Sequence, residues 1–128
     1  MERYENGNIK LRSNDEFYKE YYVNGKLKEI FNKVTNSRTK YYENGNIESE
    51  SNDKYYKEYY ENGKLRKIFN KVTRSQLHYY INGNIESSDS VLMTKKWYES
   101  GNIRLVDTFN KRIYYYENGD IQNISIFE

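Results

Sequence analysis

The side chains best suited to acid–base chemistry in this protein are glutamates that recur two residues before a glycine, as in Glu61-Asn62-Gly63. Paired carboxylates can act as general acid and general base when their surroundings push their pKa values apart. These glutamates flank turn-forming pairs, so we predict that they lie exposed at the tips of turns and serve solubility. The set is Glu5, Glu43, Glu61, Glu99 and Glu117.

The other groups that could build a catalytic or metal site are few. His78 is the only histidine and there is no cysteine, whereas metal sites and catalytic triads need several convergent groups. The glycines are isolated from one another, so none belongs to a glycine-rich phosphate loop. We therefore predict no enzyme, no catalytic residue, no metal site and no cofactor.

A repeated motif, Tyr-Tyr-x-Asn-Gly-x-(Ile/Leu), runs through the sequence and is clearest at residues 59–65. Successive glycines lie 18 or 20 residues apart, and a fixed period of this length indicates a repeat architecture. The motif contains every glycine of the protein: Gly7, Gly25, Gly45, Gly63, Gly83, Gly101 and Gly119.

An Asn-Gly pair between β-forming residues predicts a two-residue type I′ hairpin, in which both central residues have positive φ. That register pairs Glu20 with Glu29, Tyr21 with Lys28, and Tyr22 with Leu27. The Tyr22–Leu27 pair has an equivalent in every repeat, so its tyrosine column is predicted to be structural. With the glycines, this structural set contains Tyr22, Tyr42, Tyr60, Tyr80, Tyr98 and Tyr116.

The residue before each structural tyrosine points to the other face of the predicted sheet. Aromatic residues are common at binding hot spots, so we predict that this column contacts a partner. Val91, Leu92 and Met93 depart from the repeat and are added to the partner-binding candidates; equally, they could merely fill an irregular connector. The column, named here the aromatic column, is Tyr21, Tyr41, Tyr59, Tyr79, Trp97 and Tyr115.

Composition limits the class of protein. Mean hydropathy is −1.15 and 31% of the residues are charged, yet 17% are aromatic, which favours a thin folded structure over disorder. A net charge of +2 does not favour nucleic acid, and no apolar run is long enough to span a membrane. The absence of cysteine and a repeat that starts at Tyr4 lead us to expect a cytoplasmic protein without a leader.

The repeated motif resembles the MORN repeat, in its short bacterial variant. The resemblance implies one domain over residues 1–128 that is all-β: an elongated, twisted, single antiparallel sheet of about seven stacked hairpins. It also implies a binding or scaffolding module, since the bacterial variant is similar to antitoxin components.

The leading functional hypothesis is a protein-binding inhibitor or antitoxin, of bacterial or phage origin, that covers a toxic enzyme or nuclease. The partner is then another protein. A self-assembling scaffold is the alternative, because open edge strands could pair in a homodimer. A binder of single-stranded nucleic acid or of a lipid surface is the third possibility. It is disfavoured because strand alternation splits the basic residues between Lys64 and Arg74 over two faces.

Overall fold

The computed structural model describes residues 1–127, and these residues form strands and turns without a helix. They fall into two compact units, unit 1 (Met1–Lys64) and unit 2 (Leu65–Glu128). Unit 1 contains β1 (Glu2–Arg3), β2 (Ile9–Ser13), β3 (Phe17–Tyr21), β4 (Leu27–Asn32), β5 (Ser37–Tyr41), β6 (Ile47–Ser51) and β7 (Tyr55–Tyr59). Unit 2 contains β8 (Leu65–Asn70), β9 (Ser75–Tyr79), β10 (Ile85–Asp89), β11 (Met93–Trp97), β12 (Ile103–Thr108), β13 (Lys111–Tyr115) and β14 (Ile121–Ile126).

Within each unit the strands are hydrogen-bonded in sequence order, and neighbouring strands run antiparallel. Every strand is therefore the sequence neighbour of the strand beside it, as expected for a ladder of hairpins. The prediction of an all-β antiparallel hairpin repeat is confirmed. The prediction that residues 1–128 are one domain stays a prediction.

The type of turn is not the one that Asn-Gly predicted. Among the described residues only Asn36 and Arg74 have positive φ apart from glycine, so the motif asparagines do not. In the second repeat Gly25 N–H donates to the Tyr22 carbonyl at 2.9 Å, and Tyr22 N–H donates to the Lys26 carbonyl at 2.8 Å. This is a three-residue loop, a type I turn closed by a glycine with φ of +90°. The predicted type I′ turn is wrong.

A local hydrogen bond explains why the asparagine keeps a negative φ. The Asn24 side-chain oxygen accepts a hydrogen bond from Lys26 N–H at 2.9 Å, and Asn6 and Asn44 do the same with the residue two positions on. Such a bond offers the backbone an alternative to the left-handed conformation at this position. Only the glycine must then adopt positive φ.

The longer loop moves the register beside each turn by one residue. Tyr21 lies opposite Leu27, whereas we predicted Tyr22 opposite Leu27 and Tyr21 opposite Lys28. A bulge then restores the predicted register, so that Glu20 does lie opposite Glu29. The same shift places Tyr41 opposite Ile47. The aliphatic residues therefore pair with the aromatic column and not with the structural tyrosines, and the predicted division of the two faces is wrong in this respect.

The structural tyrosines make a different contact, which joins successive hairpins. Tyr22 donates its hydroxyl hydrogen bond to the carbonyl oxygen of Tyr41 at 2.6 Å, and Tyr42 donates to Tyr59 at 2.6 Å. In unit 2, Tyr80 donates to the carbonyl of Trp97 at 2.7 Å. In each case the acceptor is the backbone carbonyl of an aromatic-column residue, which ends a strand of the following hairpin. The hydroxyl thereby provides that carbonyl with a hydrogen-bond donor.

Removing one of these hydroxyls should destabilise unit 2. Tyr98 donates to the Tyr115 carbonyl at 2.7 Å, so Tyr98→Phe leaves that carbonyl without its donor. We expect a loss of about 1 kcal/mol in the free energy of unfolding, measured by urea titration. Tyr116→Phe is the matched control, because Tyr116 is 51% exposed and its hydroxyl has no hydrogen-bond partner among residues 1–127. Equal losses of stability in the two variants would contradict a stabilising role for the hydrogen bonds from the tyrosine hydroxyls to the backbone carbonyls.

A second contact between hairpins depends on the spacing of the repeats. The side-chain amides of Asn6 and Asn8 both donate to the carbonyl of Val23 in the next turn, at 3.0 and 2.8 Å. The same arrangement joins Asn44 and Asn46 to Glu61. It occurs in the Asn-Gly-Asn repeats, whose next glycine is 18 residues away; Ser100-Gly101-Asn102 has the same spacing and keeps only the bond from Asn102, to Glu117. Where the spacing is 20 residues, as after Asn24-Gly25, lysine replaces the second asparagine.

Burial is slight throughout the described residues. Leu105, with 8% of its surface exposed, is their one buried hydrophobic residue, and Ser49 and Ser87 are the buried polar ones. Each unit consists of strands that pair in sequence order, so no second layer covers either face of its sheet. Stability must then come from neighbouring side chains on the same face and from the backbone ladder.

The like-charge pair of Glu20 and Glu29 is relieved by cations on both sides. Lys28 places its ammonium 3.7 Å from the Glu20 carboxylate, and the Arg38 guanidinium lies 2.7 Å from that of Glu29. Lys28 is the extra residue of the bulge in β4, and from there its side chain reaches Glu20. The acidic pair is thus compensated within unit 1.

Candidate protein-binding surface

An apolar row crosses one face of unit 2. Ladder pairings connect Ile68 to Leu77 across β8 and β9, and connect Val106 to Ile113 and then to Ile124 across β12, β13 and β14. Between these two segments the row passes through Ser88 and Lys95. Directly opposite residues share a face of an antiparallel sheet, so these aliphatic side chains lie on one side.

The aromatic column of unit 2 lies on the same face. Tyr79 is two residues beyond Leu77, Trp97 two beyond Lys95, and Tyr115 two beyond Ile113, and side chains two apart in a strand point the same way. Each aromatic residue faces an isoleucine across the ladder. We call the combined set the apolar face: Ile68, Leu77, Tyr79, Ile85, Trp97, Ile103, Val106, Ile113, Tyr115, Ile121 and Ile124.

One mid-strand row on the opposite face of unit 2 is polar. Its ladder runs from Gln76 through Asp89, Thr94 and Asp107 to Arg112. Arg112 donates to the Asp107 carboxylate at 3.0 Å, and this hydrogen bond and ion pair raise the pKa of Arg112. The two faces of unit 2 therefore differ in this row, while the next row of the opposite face contains Leu105 and Tyr114.

Unit 1 lacks an equivalent aliphatic row. The row that corresponds to the apolar row passes through Arg12, Lys19, Ile30, Thr39, Glu50 and Lys57, with a single aliphatic residue. Lys19 lies over the ring of Phe17 at 4.4 Å, and Lys57 lies over that of Tyr55 at 4.5 Å. Cations thus cover aromatic rings on this face of unit 1.

One tyrosine of the aromatic column in unit 1 is held by a hydrogen bond within the unit. Tyr59 donates its hydroxyl hydrogen bond to the Glu50 carboxylate at 2.6 Å. Burial of the ring and this hydrogen bond to a carboxylate raise the pKa of Tyr59 to about 12. The predicted binding role of Tyr21, Tyr41 and Tyr59 stays a prediction.

The raised pKa of Tyr59 predicts a loss of stability in alkali. In the unfolded protein tyrosine loses its proton near pH 10, while the folded protein holds the Tyr59 proton up to about pH 12. The stabilising effect is thus fully present below about pH 10 and is lost as the pH rises toward 12. Urea titrations from pH 8 upward should show a shallower alkaline decline in Tyr59→Phe. An unchanged decline would mean that other groups cause it.

The three candidates outside the repeat lie at the connector between β10 and β11. Val91 is 81% exposed, Leu92 is 80% exposed, and Met93 opens β11. With Phe109, which is 91% exposed, they border a shallow concavity of about 180 Å³. Val91 and Leu92 therefore do not fill the interior of a connector, and all three remain candidates for partner contact.

The remaining sequence predictions concern isolated groups. His78 lies mid-strand, between Lys67 and Ser87 in the ladder, and the five turn glutamates are exposed. No group of three metal-binding side chains occurs within residues 1–127. No helix of those residues could cross a membrane.

Sequence reasoning missed the apolar row of unit 2. The motif drew attention to the turns, whereas Leu77, Val106, Ile113 and Ile124 lie in the middle of strands. Pairing the strands through the connectors, as well as through the turns, would have aligned these four residues. The aromatic column alone could not distinguish unit 2 from unit 1.

The repeat geometry permits a comparison with known families. Two adjacent repeats match the MORN repeat variant, over residues 36–52 and 53–70. Each segment contains one Tyr-Tyr-x-Asn-Gly turn, so the match covers the motif described above. MORN repeats suggest a binding or scaffold module built from repeats. No curated protein matches the sequence.

Proposed function

We propose that this protein with MORN-type repeats is a non-enzymatic binding module whose apolar face in unit 2 docks on another protein. The observation that carries the proposal is the mid-strand aliphatic row of unit 2, which lies beside three aromatic residues on the same face, whereas the matching row of the opposite face is charged and polar. Interfaces have apolar centres in which aromatic residues are enriched and charged residues are depleted. Tyr79, Trp97 and Tyr115 would be the aromatic anchors of such a centre.

We further propose that the partner is a toxic enzyme or nuclease and that binding blocks it, as an inhibitor or antitoxin does. The resemblance of the repeat to bacterial antitoxin components supports this choice. An extended sheet face can cover an active-site entrance without supplying a catalytic group. The protein would act in the cytoplasm of a bacterial cell, as a product of the cell or of a phage.

The test uses two lysine substitutions on one strand. Ile124→Lys puts a charge on the apolar face, and Asn123→Lys puts the same charge on the opposite face of β14, where Asn123 pairs with Tyr114. The wild-type protein is used to capture partners from the source cell, and each captured enzyme is titrated with the three proteins. We expect Ile124→Lys to weaken inhibition at least about tenfold and Asn123→Lys to leave it unchanged.

Two outcomes would contradict the proposal. If both lysine variants lose inhibition equally, the apolar face is not the interface. If the wild-type protein lowers the activity of none of the captured enzymes, the inhibitor role is wrong even where binding persists. Circular dichroism of both variants checks that each retains its strands.

Self-association is a second candidate function, favoured by the exposed Leu92 and Phe109 at the connector end of unit 2. Two copies could bury these side chains against each other. Sedimentation over a range of concentrations decides: a monomer throughout excludes this scaffold role, and a dimer that Phe109→Ser abolishes supports it.

A further inference from the structure

The Asn-Gly turns carry a chemistry that has no part in binding. An asparagine followed by glycine can lose its side-chain amide without an enzyme, because glycine has no side chain to block the approach of its nitrogen. The glycine backbone nitrogen attacks the asparagine Cγ and forms a new C–N bond, while hydroxide takes the proton of that nitrogen. The amide nitrogen Nδ2 takes a proton from water, which regenerates hydroxide, the bond between Cγ and Nδ2 breaks, and ammonia leaves. Water then opens the succinimide ring and gives aspartate or isoaspartate.

The nucleophile is held in the same way in each turn. Gly7, Gly25, Gly45, Gly63 and Gly83 donate their N–H to the carbonyl of the preceding structural tyrosine or its equivalent, at 2.9 to 3.0 Å. The electrophile is the side-chain amide of the asparagine, and its oxygen is also held in the same way in each turn. The side-chain oxygens of Asn6, Asn24, Asn44, Asn62 and Asn82 each accept from the residue two positions on, at 2.9 to 3.0 Å.

The turns differ at the side-chain nitrogen. Asn6 donates to Val23 at 3.0 Å, Asn44 donates to Glu61 at 2.9 Å, and Asn82 donates to Glu99 at 3.0 Å. The corresponding nitrogens of Asn24 and Asn62 make no hydrogen bond within residues 1–127. We call an asparagine clamped when its side-chain nitrogen donates to a carbonyl of the next turn. The clamped asparagines are those whose next glycine is 18 residues away, so the repeat spacing decides which turns have this bond.

We propose that Asn24 and Asn62 are the sites where this protein deamidates first, and that the clamp between turns protects Asn6, Asn44 and Asn82. The attack requires the asparagine side chain to rotate toward the glycine nitrogen, which breaks its hydrogen bonds. A clamped asparagine must break one bond more. Because of the net free energy of that one hydrogen bond, a clamped asparagine should deamidate about 2- to 12-fold more slowly.

The protecting residues are identified by the same geometry. Asn8, Asn46 and Asn84 donate to the same carbonyls as the clamped asparagines, at 2.7 to 2.8 Å, and so hold the two turns together. In the unclamped turns their positions are taken by Lys26 and Lys64. Asn118 is left out of the comparison, because its amide nitrogen contacts Asp120 of its own turn at 3.2 Å.

The experiment measures deamidation at each site in one protein. The folded protein is incubated at mildly alkaline pH, digested at intervals, and the conversion of each asparagine is quantified by mass spectrometry. A parallel sample in denaturant gives the rates set by the local sequence alone. We expect Asn24 and Asn62 to react about 2- to 12-fold faster than the clamped three when folded, and the difference to vanish in denaturant.

Two results would overturn the proposal: equal rates at the five sites in the folded protein, or a difference that persists in denaturant. An Asn8→Ala variant adds an internal check. It removes one of the two bonds between the first two turns, so Asn6 should react faster while Asn44 keeps its rate. Acceleration at both, or at neither, would also count against protection by the clamp. The outcome does not depend on the proposed function, because no partner is present.

Discussion

Replacing Leu105 by alanine is expected to lower the free energy of unfolding of unit 2 by about 2–3 kcal/mol. Leu105 is the one buried hydrophobic residue among residues 1–127, with 8% of its surface exposed. It lies mid-strand in β12, opposite Lys96 in β11 and Tyr114 in β13. A sheet without a covering layer has no second set of side chains that could move in and fill the space left by the removed methyl groups.

Leu92→Ala is the matched control for this experiment. It removes the same atoms from a leucine that is 80% exposed, so it should change the unfolding free energy by less than about 0.5 kcal/mol. The fluorescence of Trp97, the single tryptophan, reports on β11 during urea titration. A Leu105→Ala variant as stable as Leu92→Ala would show that same-face neighbours contribute little to this fold.

Replacing Gly83 by alanine is expected to cost about 1–2 kcal/mol, through the backbone alone. Gly83 has a φ of +94°, which side-chain-bearing residues rarely adopt, and an added Cβ would meet no atom within 4 Å. The expected loss therefore measures conformational strain without a steric clash.

Ile81→Ala serves as the control for Gly83→Ala. It changes an exposed residue of the same turn, where φ is not positive, and should have little effect on stability. The two variants are compared by thermal and urea unfolding. If Gly83→Ala lowers the stability no more than Ile81→Ala does, positive φ is not the reason that the motif contains glycine.

Much of the fold follows from interactions between residues that are close together in the sequence. The glycine spacing predicted the repeat, and the β-forming residues on both sides of each turn predicted antiparallel hairpins. The pairing of Glu20 with Glu29 was also correct, because the bulge compensates for the longer loop. Each of these features depends on one motif and its immediate flanks, and is therefore visible without the tertiary structure.

The turn type was mispredicted because two local solutions compete at Asn-Gly. A type I′ turn uses positive φ at both residues, whereas here the Asn24 side chain binds Lys26 N–H and keeps its own φ negative. The sequence contains both options. Tertiary contacts favour the observed one, since Asn6 and Asn8 in the same conformation reach the Val23 carbonyl of the neighbouring turn.

The amino-acid sequence alone established that this protein is a ladder of hairpins, that its turns carry glycine at a position of positive φ, and that the two tyrosines of each motif point to opposite faces. Which residues those tyrosines meet, and which face carries the aliphatic row, became known only from the folded structure. A face is assembled from strands that are joined through both turns and connectors, and the motif fixes only the turns. Leu77, Val106 and Ile113 become members of one row only when the register of each connector is also fixed.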